Sequence, residues 1–560
     1  MIFMSNHVDG PKKIAYFSME MGIRNDIPTY SGGLGVLAGD VIRSSADLRV
    51  PMVAVTLASR NGYLKQRLTA EGDQIEAPDE WEPAFVLELA PQTVIVNIEN
   101  RPVKVRAWIY RHKSPIGGIV PILFLDTAVE GNDVEDKAIT GFLYGGDEKY
   151  RLKQEVVLGI GGTRMLEALN YPIVRYHMNE GHSALLTLEL LRKNNMDTES
   201  VRRYCIFTTH TPVDAAFDRF PYLLVKEVLG EEFPIDIMRE FNGKDKLNLT
   251  LLAMNLSHYQ NAVTKAHGKQ SKKLFPEHLI QSVTNGVHSY TWTSESFRQL
   301  FDKHIPGWII EPELLVRIDR ATCGEVWAAH NENKNVLLNY VEEKTGIKMD
   351  NSVLTIGFAR RATGYKRATL IFSDLKRLTN INKKGPLQLI FAGKAHPRDT
   401  SGKAEIKDIF SFAEKLKNEL KVVYLENYDM QIASKLTSGV DLWLNTPLPP
   451  MEASGTSGMK AAHNGVINFS VLDGWWIEGC IEGVTGWAIG PSPDETVSEE
   501  ERRRRELEDL FSKLKYLIVP KFYEERDQWI ELMKSSIGKI AYYFNTDRMM
   551  KRYIADAYLT

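Results

Sequence analysis

The sequence predicts an α/β protein built as two domains that face each other across a cleft. Three observations lead there. The chain has 560 residues, and single hydrophobic cores stop growing at roughly 250–300 residues. In its second half, five short apolar or β-branched runs alternate with helical stretches: "VLTIGFARR" (353–361), "LQLIFAGKA" (387–395), "KVVYLENYD" (421–429), "VDLWLNTP" (440–447) and "VINFSVLDG" (466–474). That is the pattern of a parallel, doubly wound sheet. Each run ends in polar or glycine-rich residues, and such sheets bind ligands beyond the C-terminal ends of their strands.

The first half mixes strand types. "KIAYFSMEMG" (13–22) and "VPMVAVTL" (50–57) read as buried strands. "TVIVNIENRPVKVRAWIYRH" (93–112) alternates apolar and polar residues on both sides of Glu99-Asn100-Arg101-Pro102 and reads as a β-hairpin. "IVRYHMNEGHSALLTLELLRK" (173–193) is a strand, a polar loop and a helix, and "YCIFTTHTP" (204–212) is a strand with a polar end. The domain boundary falls in the helical segment between Trp292 and Asn351. The expected division is residues 1–300, residues 301–545, and a tail, 546–560, that packs back on the first domain. The run Glu499 to Arg505 reads as an exposed helix start.

Composition narrows the class. Hydrophobic residues make up 43% and charged residues 25%, the balance of a soluble globular protein. A net charge of −3 provides no basic field for nucleic acid. Cys205, Cys323 and Cys480 are too far apart for a disulfide framework or a zinc pattern, so a reducing, cytoplasmic setting is expected. No run approaches the ~20 apolar residues of a membrane helix. The start, "MIFMSNHVDGPKK", shows no apolar core ahead of a cleavage site, so no signal peptide is expected.

Several stretches can carry chemistry. "YSGGLGVLAGD" (30–40) has glycines at 32, 33 and 35 before a helical run, so its backbone can approach an anion, although tight turns explain most glycine loops. "GFARRATGYKRATLIF" (357–372) sets Arg360, Arg361, Lys366 and Arg367 at a strand end and the next helix start. Four cations there repel each other and oppose the macrodipole, and a bound anion relieves both. "EASGTSGMK" (452–460) places Lys460 at a helix start behind a Ser/Gly/Thr loop, as a phosphate contact, a Schiff-base nucleophile or a surface charge. The histidines of "HMNEGH" (177–182) are five apart rather than four, which argues against a metal pair. His210 in "TTHTP" (208–212) is by itself more often structural than catalytic. The residues alone reach a two-domain α/β transferase that handles phosphorylated ligands.

"EASGTSGMK" resembles the cofactor-lysine motif of the α-glucan (glycogen, starch, maltodextrin) phosphorylases. In the family's order follow "SGGLG", "RLKQE" (151–155), "HMNEGH", "TTHT", "TNGV" (284–287), "RRATGYKR", "AGKAHP", "LENY" and "EASGT", spread over residues 13 to 480. The resemblance implies a compact microbial form with the GT-B fold, two Rossmann-like domains around a central cleft. It implies reversible phosphorolysis of terminal α-1,4-glucosidic bonds, with inorganic phosphate as acceptor and glucose 1-phosphate released with retention. It implies pyridoxal 5′-phosphate on Lys460, with Gly455, Thr456, Arg360, Tyr428, Trp292 and Gly32 around the cofactor. Arg361, Lys366 and Gly33 are then substrate-phosphate contacts, and His210 stands beside the reacting carbon. Glu452, Ser454 and Asn285 bond the terminal glucose. Neither nucleic acid, membrane nor metal is implied, and a homo-oligomer is left open. Four positions depart from the family pattern: Ser457-Gly458 replaces Gly-Asn, Val36 stands where arginine is usual, and Arg360 stands in place of lysine.

Two other readings compete. A GT-B glycosyltransferase using a nucleotide sugar shares the fold but needs no cofactor lysine, and an inactive glucan-binding homologue needs no phosphate cluster. Only "MIFMSNHVDGPK" precedes the first strand expected near Lys13, so no AMP or phosphorylation switch is expected.

Overall fold

The computed structural model describes residues 12–242 and 245–560; the amino-terminal stretch read above for a leader or a regulatory segment lies outside them. Among the described residues the first sheet has nine strands, ordered β13-β12-β9-β8-β1-β2-β7-β6-β5. These are β1 (Lys13–Phe17), β2 (Met52–Leu57), β5 (Glu88–Ile98), β6 (Arg101–Lys113), β7 (Ile119–Asp126), β8 (Ile173–Asn179), β9 (Cys205–Thr208), β12 (Tyr259–Ala262) and β13 (Ile280–Ser282). Two ribbons, β3 (Lys65–Leu68) with β4 (Gln74–Ala77) and β10 (Arg219–Pro221) with β11 (Lys246–Asn248), stand apart from it. The second sheet has six parallel strands, β14 (Leu354–Ala359), β15 (Leu387–Ala392), β16 (Lys421–Leu425), β17 (Leu442–Asn445), β18 (Ile467–Val471) and β19 (Gly486–Ile489), ordered β16-β15-β14-β17-β18-β19.

The second sheet follows the doubly wound order 3-2-1-4-5-6. The parallel part of the first sheet repeats it: β7-β2-β1-β8-β9-β12, with β13 beyond. Strand order therefore reverses between β1 and β8 in one sheet and between β14 and β17 in the other, where such sheets open a crevice.

Burial explains the runs. Strands β2, β14, β15, β17 and β18 are buried at every position, so they read as continuous apolar stretches. The hairpin β5–β6 forms as its alternation predicts. Glu99 and Asn100 at its turn have φ of 53° and 59°, the left-handed pair that matches strand twist in a two-residue loop. The charge run lies in the helix Glu499–Lys513, where Ser498 Oγ accepts the Glu501 amide at 3.2 Å. The helix Thr546–Tyr553 returns to the first sheet, where Met549, Met550, Tyr553 and Tyr558 join the apolar cluster around Tyr16 and Phe124.

Two local expectations are corrected. The segment after β14 does not begin an α-helix: it makes short 3-10 turns, Gly364–Lys366 and Ala368–Phe372, and the next α-helix starts at Leu375. The macrodipole argument for the cation cluster therefore does not apply. A sixth strand, β19, closes the second sheet although "GWAI" carries no strong strand signal.

Loops at the C-terminal ends of the two sheets meet each other. Tyr30 Oη accepts the Met430 amide at 3.0 Å, and Lys394 Nζ donates to Leu64 O at 2.8 Å. Gln66 binds Asn427 twice, N to Oδ1 at 3.1 Å and Oε1 from the Asn427 amide at 2.9 Å. Elsewhere Thr264 Oγ1 donates to Ala453 O at 2.7 Å. The strand ends that carry the polar motifs thus point at one another.

Candidate active site

Lys460 lies in the helix Ser457–Ala462, which follows β17. The helix is buried by apolar neighbours: Met459 and Ala462 pack with Val36, Trp292, Trp475 and Phe544. Val36, one of the departures noted above, thus serves as core. The Lys460 ammonium sits 3.8 Å from the centre of the Trp292 ring, a cation–π contact. Trp292 Nε1 in turn donates to Asp40 Oδ2 at 2.8 Å, and Asn464 Nδ2 ties the Trp292 and Lys460 carbonyls together at 2.8 and 3.1 Å. Among the described residues Lys460 forms no ion pair. Burial pulls its pKa down to about 8 although Asp40 opposes this, so a neutral, nucleophilic amine is accessible near neutral pH.

A second cluster gathers at the β14/β17 switch. Glu452 is bonded by Arg360 Nη2 at 2.6 Å and by Lys366 Nζ. Arg360 Nη1 also reaches Asn445 Oδ1 at 3.1 Å, and its buried Nε has no partner. Burial works against ionising Glu452, but Arg360 and Lys366 outweigh it and hold the carboxyl near 2. Burial, with Arg360 beside it, lowers the Lys366 pKa to about 7. Asp473 Oδ2 accepts the Glu452 amide at 2.9 Å, and burial raises the Asp473 carboxyl to about 7. Gly474 lets the chain turn back here, since a Cβ on it would lie 2.3 Å from Ser454 O. Gly455 takes φ 74°, a conformation glycine adopts without strain.

The four cations of residues 360–367 do not act as one anion site. Arg367 adopts φ 50° and turns to Glu506 at 2.6 Å and to the Thr446 and Pro447 carbonyls at 2.9 and 2.8 Å. Arg360 and Lys366 take Glu452. Arg361 alone stays exposed and, among the described residues, without an ion pair. Although the side chain reaches solvent, the protein packed around it opposes its charge; Tyr365, Tyr63, Glu20 and Tyr144 favour that charge, and its pKa is raised.

The loop 30–35 starts the helix Gly33–Asp47. A side chain at Gly32 or Gly33 would meet nothing within 4 Å, so the loop faces open space at these two positions. His210, after β9, has its amide on Glu180 Oε2 at 2.7 Å and its Nε2 2.7 Å from Asn179 Oδ1; burial lowers its pKa to about 3, so the ring is neutral. Asn285 is 3% exposed and its Oδ1 has no partner. His210 and Asn285 share no hydrogen bond with either cluster among the described residues. Tyr428 packs beside Trp292 in the apolar shell, and burial raises its pKa. Thr456 precedes the Lys460 helix without capping it.

The residues of the described "HMNEGH" segment diverge. His177 lies 2.8 Å from both Tyr558 Oη and Thr208 Oγ1 and anchors the carboxy-terminal segment, whereas His182 faces Asp218 at 3.3 Å.

The chain is similar to known carbohydrate phosphorylases. The model of the carbohydrate phosphorylase family matches residues 234–483. A maltodextrin phosphorylase from Thermococcus litoralis is 38% identical over 99% of this chain and 72% of its own length. A glycogen phosphorylase from Aquifex aeolicus is 35% identical over 98% of this chain and 86% of its own. The chain belongs to the carbohydrate phosphorylase family.

Several residues of this phosphorylase escaped the sequence reading. Glu20, Asp40, Tyr144 and Asp473 each touch the site, yet each is a single polar residue without a motif around it. Glu20, Asp40 and Asp473 stood inside stretches already singled out, as a strand, the glycine loop and a strand end, but none of them was read as a site residue. The strand-end pattern placed Arg360 and Glu452 on one rim, but the bonds that Arg360 and Lys366 make to Glu452 had no signal, because the partners lie 92 and 86 positions apart. Among the described residues no helix is long and apolar enough to cross a membrane.

Proposed function

We propose that this chain catalyses the reversible phosphorolysis of terminal α-1,4-glucosidic bonds of glucans, releasing α-D-glucose 1-phosphate with retention, and that it carries pyridoxal 5′-phosphate on Lys460. The observation that carries the proposal is Lys460: a buried amine whose pKa burial pulls down to about 8, laid on Trp292 and, among the described residues, without an ion pair, beside a buried Arg360–Lys366–Glu452 cluster. The residues present fit the cofactor. Trp292 and Tyr428 offer ring faces, Gly455, Thr456 and Gly32 offer backbone, and Arg360 has a buried Nε without a partner. When bound, pyridoxal phosphate supplies a second phosphate group able to hold and return a proton.

The chain's own residues divide the remaining work. Arg361 and Lys366 bind the attacking phosphate, and Gly33 offers it an amide. A phosphate second pKa lies near about 6 and Lys366 titrates near 7, so a proton is readily shared between Lys366 Nζ and the anion. Glu452 and Ser454 accept and donate to hydroxyls of the terminal glucose. Asn285 Oδ1, unpartnered among the described residues, accepts another. His210, neutral, borders the reacting carbon as a hydrogen bonder rather than a cation. The cationic groups oppose charge built up in an oxocarbenium-like transition state less than they stabilise the phosphates beside it.

The matching strand orders of the two sheets, with their C-terminal ends in contact, support two Rossmann-like domains in the GT-B arrangement, residues 1–300 and 301–545, with 546–560 returning to the first. Incubation with maltodextrin and inorganic phosphate tests the function directly. Glucose 1-phosphate is the expected product, and its absence from cofactor-loaded protein overturns the proposal.

A further inference from the structure

The motif "RLKQE" and the acidic residue after β1 have no role in the function proposed above, yet Tyr144 joins them beside the glycine loop. Glu20 is 3% exposed. Its Oε2 accepts the Ser31 amide at 2.6 Å, the Gly32 amide at 3.3 Å and Ser31 Oγ at 3.1 Å. Its Oε1 accepts Tyr144 Oη at 2.9 Å. Tyr144 lies under the Arg151 guanidinium, 4.5 Å from the ring centre. Arg151 is held by Glu155 at 2.9 Å and by Asp218 at 3.2 Å. A continuous set of contacts thus runs from the buried RLKQE helix to the glycine loop.

The contacts fix the loop in one direction. Ser31 and Gly32 turn their amides inward to the carboxylate. The next amides, Gly33 to Gly35, precede the first helical bond, Val36 N to Gly32 O at 3.2 Å, and have no carbonyl of the helix to serve. Gly35 packs so closely that a Cβ would sit 2.8 Å from Glu20 Oε2. A carboxylate next to an anion site is electrostatically adverse, so its presence there calls for a geometric reason. Turning two amides back also prevents the loop from rotating the next ones out of line.

We infer that Glu20, held by Tyr144 and Arg151, is a positioning residue that aims the amides of the glycine loop at the phosphate substrate. The inference rests on the phosphorylase function proposed above. Glu20 touches no substrate in this role; it sets where Gly33 stands.

Kinetics of the cofactor-loaded enzyme, with glucan and phosphate varied separately, test it. In Glu20→Ala the KM for phosphate rises tenfold or more while the KM for maltodextrin stays within twofold. Glu20→Gln, which keeps one carbonyl acceptor, recovers part of that loss. Tyr144→Phe, which deletes one hydroxyl, raises the phosphate KM about threefold and covers the case in which Glu20→Ala does not fold. Amide exchange at residues 30–36 accelerates in Glu20→Gln while the rest of the chain exchanges as in the parent. A phosphate KM within twofold of the parent in Glu20→Gln and Tyr144→Phe overturns the inference, as does an equal rise of both KM values. A parent enzyme that forms no glucose 1-phosphate overturns the function instead, and the exchange measurement still reports on the loop.

Discussion

Arg361→Ala separates phosphate chemistry from stability. The side chain is exposed and makes no ion pair or hydrogen bond among the described residues, so its loss leaves no buried partner behind. The stability change is therefore expected within about 0.5 kcal/mol. The charge is nevertheless well secured: the protein packed around this solvent-reaching side chain opposes it, but Tyr365, Tyr63, Glu20 and Tyr144 outweigh that cost. If that guanidinium meets the reacting phosphate, deleting it removes a charge-assisted contact worth about 2–4 kcal/mol in the transition state, or roughly 30- to 1000-fold in rate. The assay is initial-rate glucose 1-phosphate formation at varied phosphate, with a melting curve and a cofactor stoichiometry on the same sample. A kcat/KM for phosphate within threefold of the parent refutes the assignment. A large drop in melting temperature or in bound cofactor refutes the separation, because either places Arg361 in the scaffold or the cofactor pocket.

Three further outcomes are expected. Reloading of cofactor-free protein with pyridoxal phosphate should speed up with pH and level off above about 8, because the depressed pKa of Lys460 makes its amine neutral there; a rate still climbing about tenfold per unit near pH 9 marks an ordinary lysine, and borohydride trapping with peptide mapping should put the adduct on Lys460. Lys334→Ala should cost about 3–5 kcal/mol, as for one partner of a buried pair, since Lys334 is fully buried against Asp441 at 2.6 Å; denaturant melts reading under 1 kcal/mol contradict this. UDP- and ADP-glucose should not donate to maltodextrin, and transfer at rates matching glucose 1-phosphate points to a synthase.

The sequence by itself determined the second sheet and the family. Strands β14, β15, β17 and β18 are covered on both faces, so burial writes itself into the chain as unbroken apolar runs that need no partner to be read. The hairpin β5–β6 was legible for the opposite reason: its first strand is open on one face, which imposes alternation. β19 was not, because four residues opening on a glycine at φ 149° carry neither length nor branching. The candidate site residues were nameable from motif order, but their partners were not. Which carboxylate neutralises Arg360 and Lys366, and that Arg367 faces Glu506 instead, depends on strand order and on one backbone angle at Arg367. Likewise, Glu20 reaches Ser31 and Tyr144 only because β1 ends beside both. Periodicity records what each residue is buried against on average; only tertiary structure decides which charge meets which, because those contacts join positions tens to hundreds of residues apart and leave no local trace.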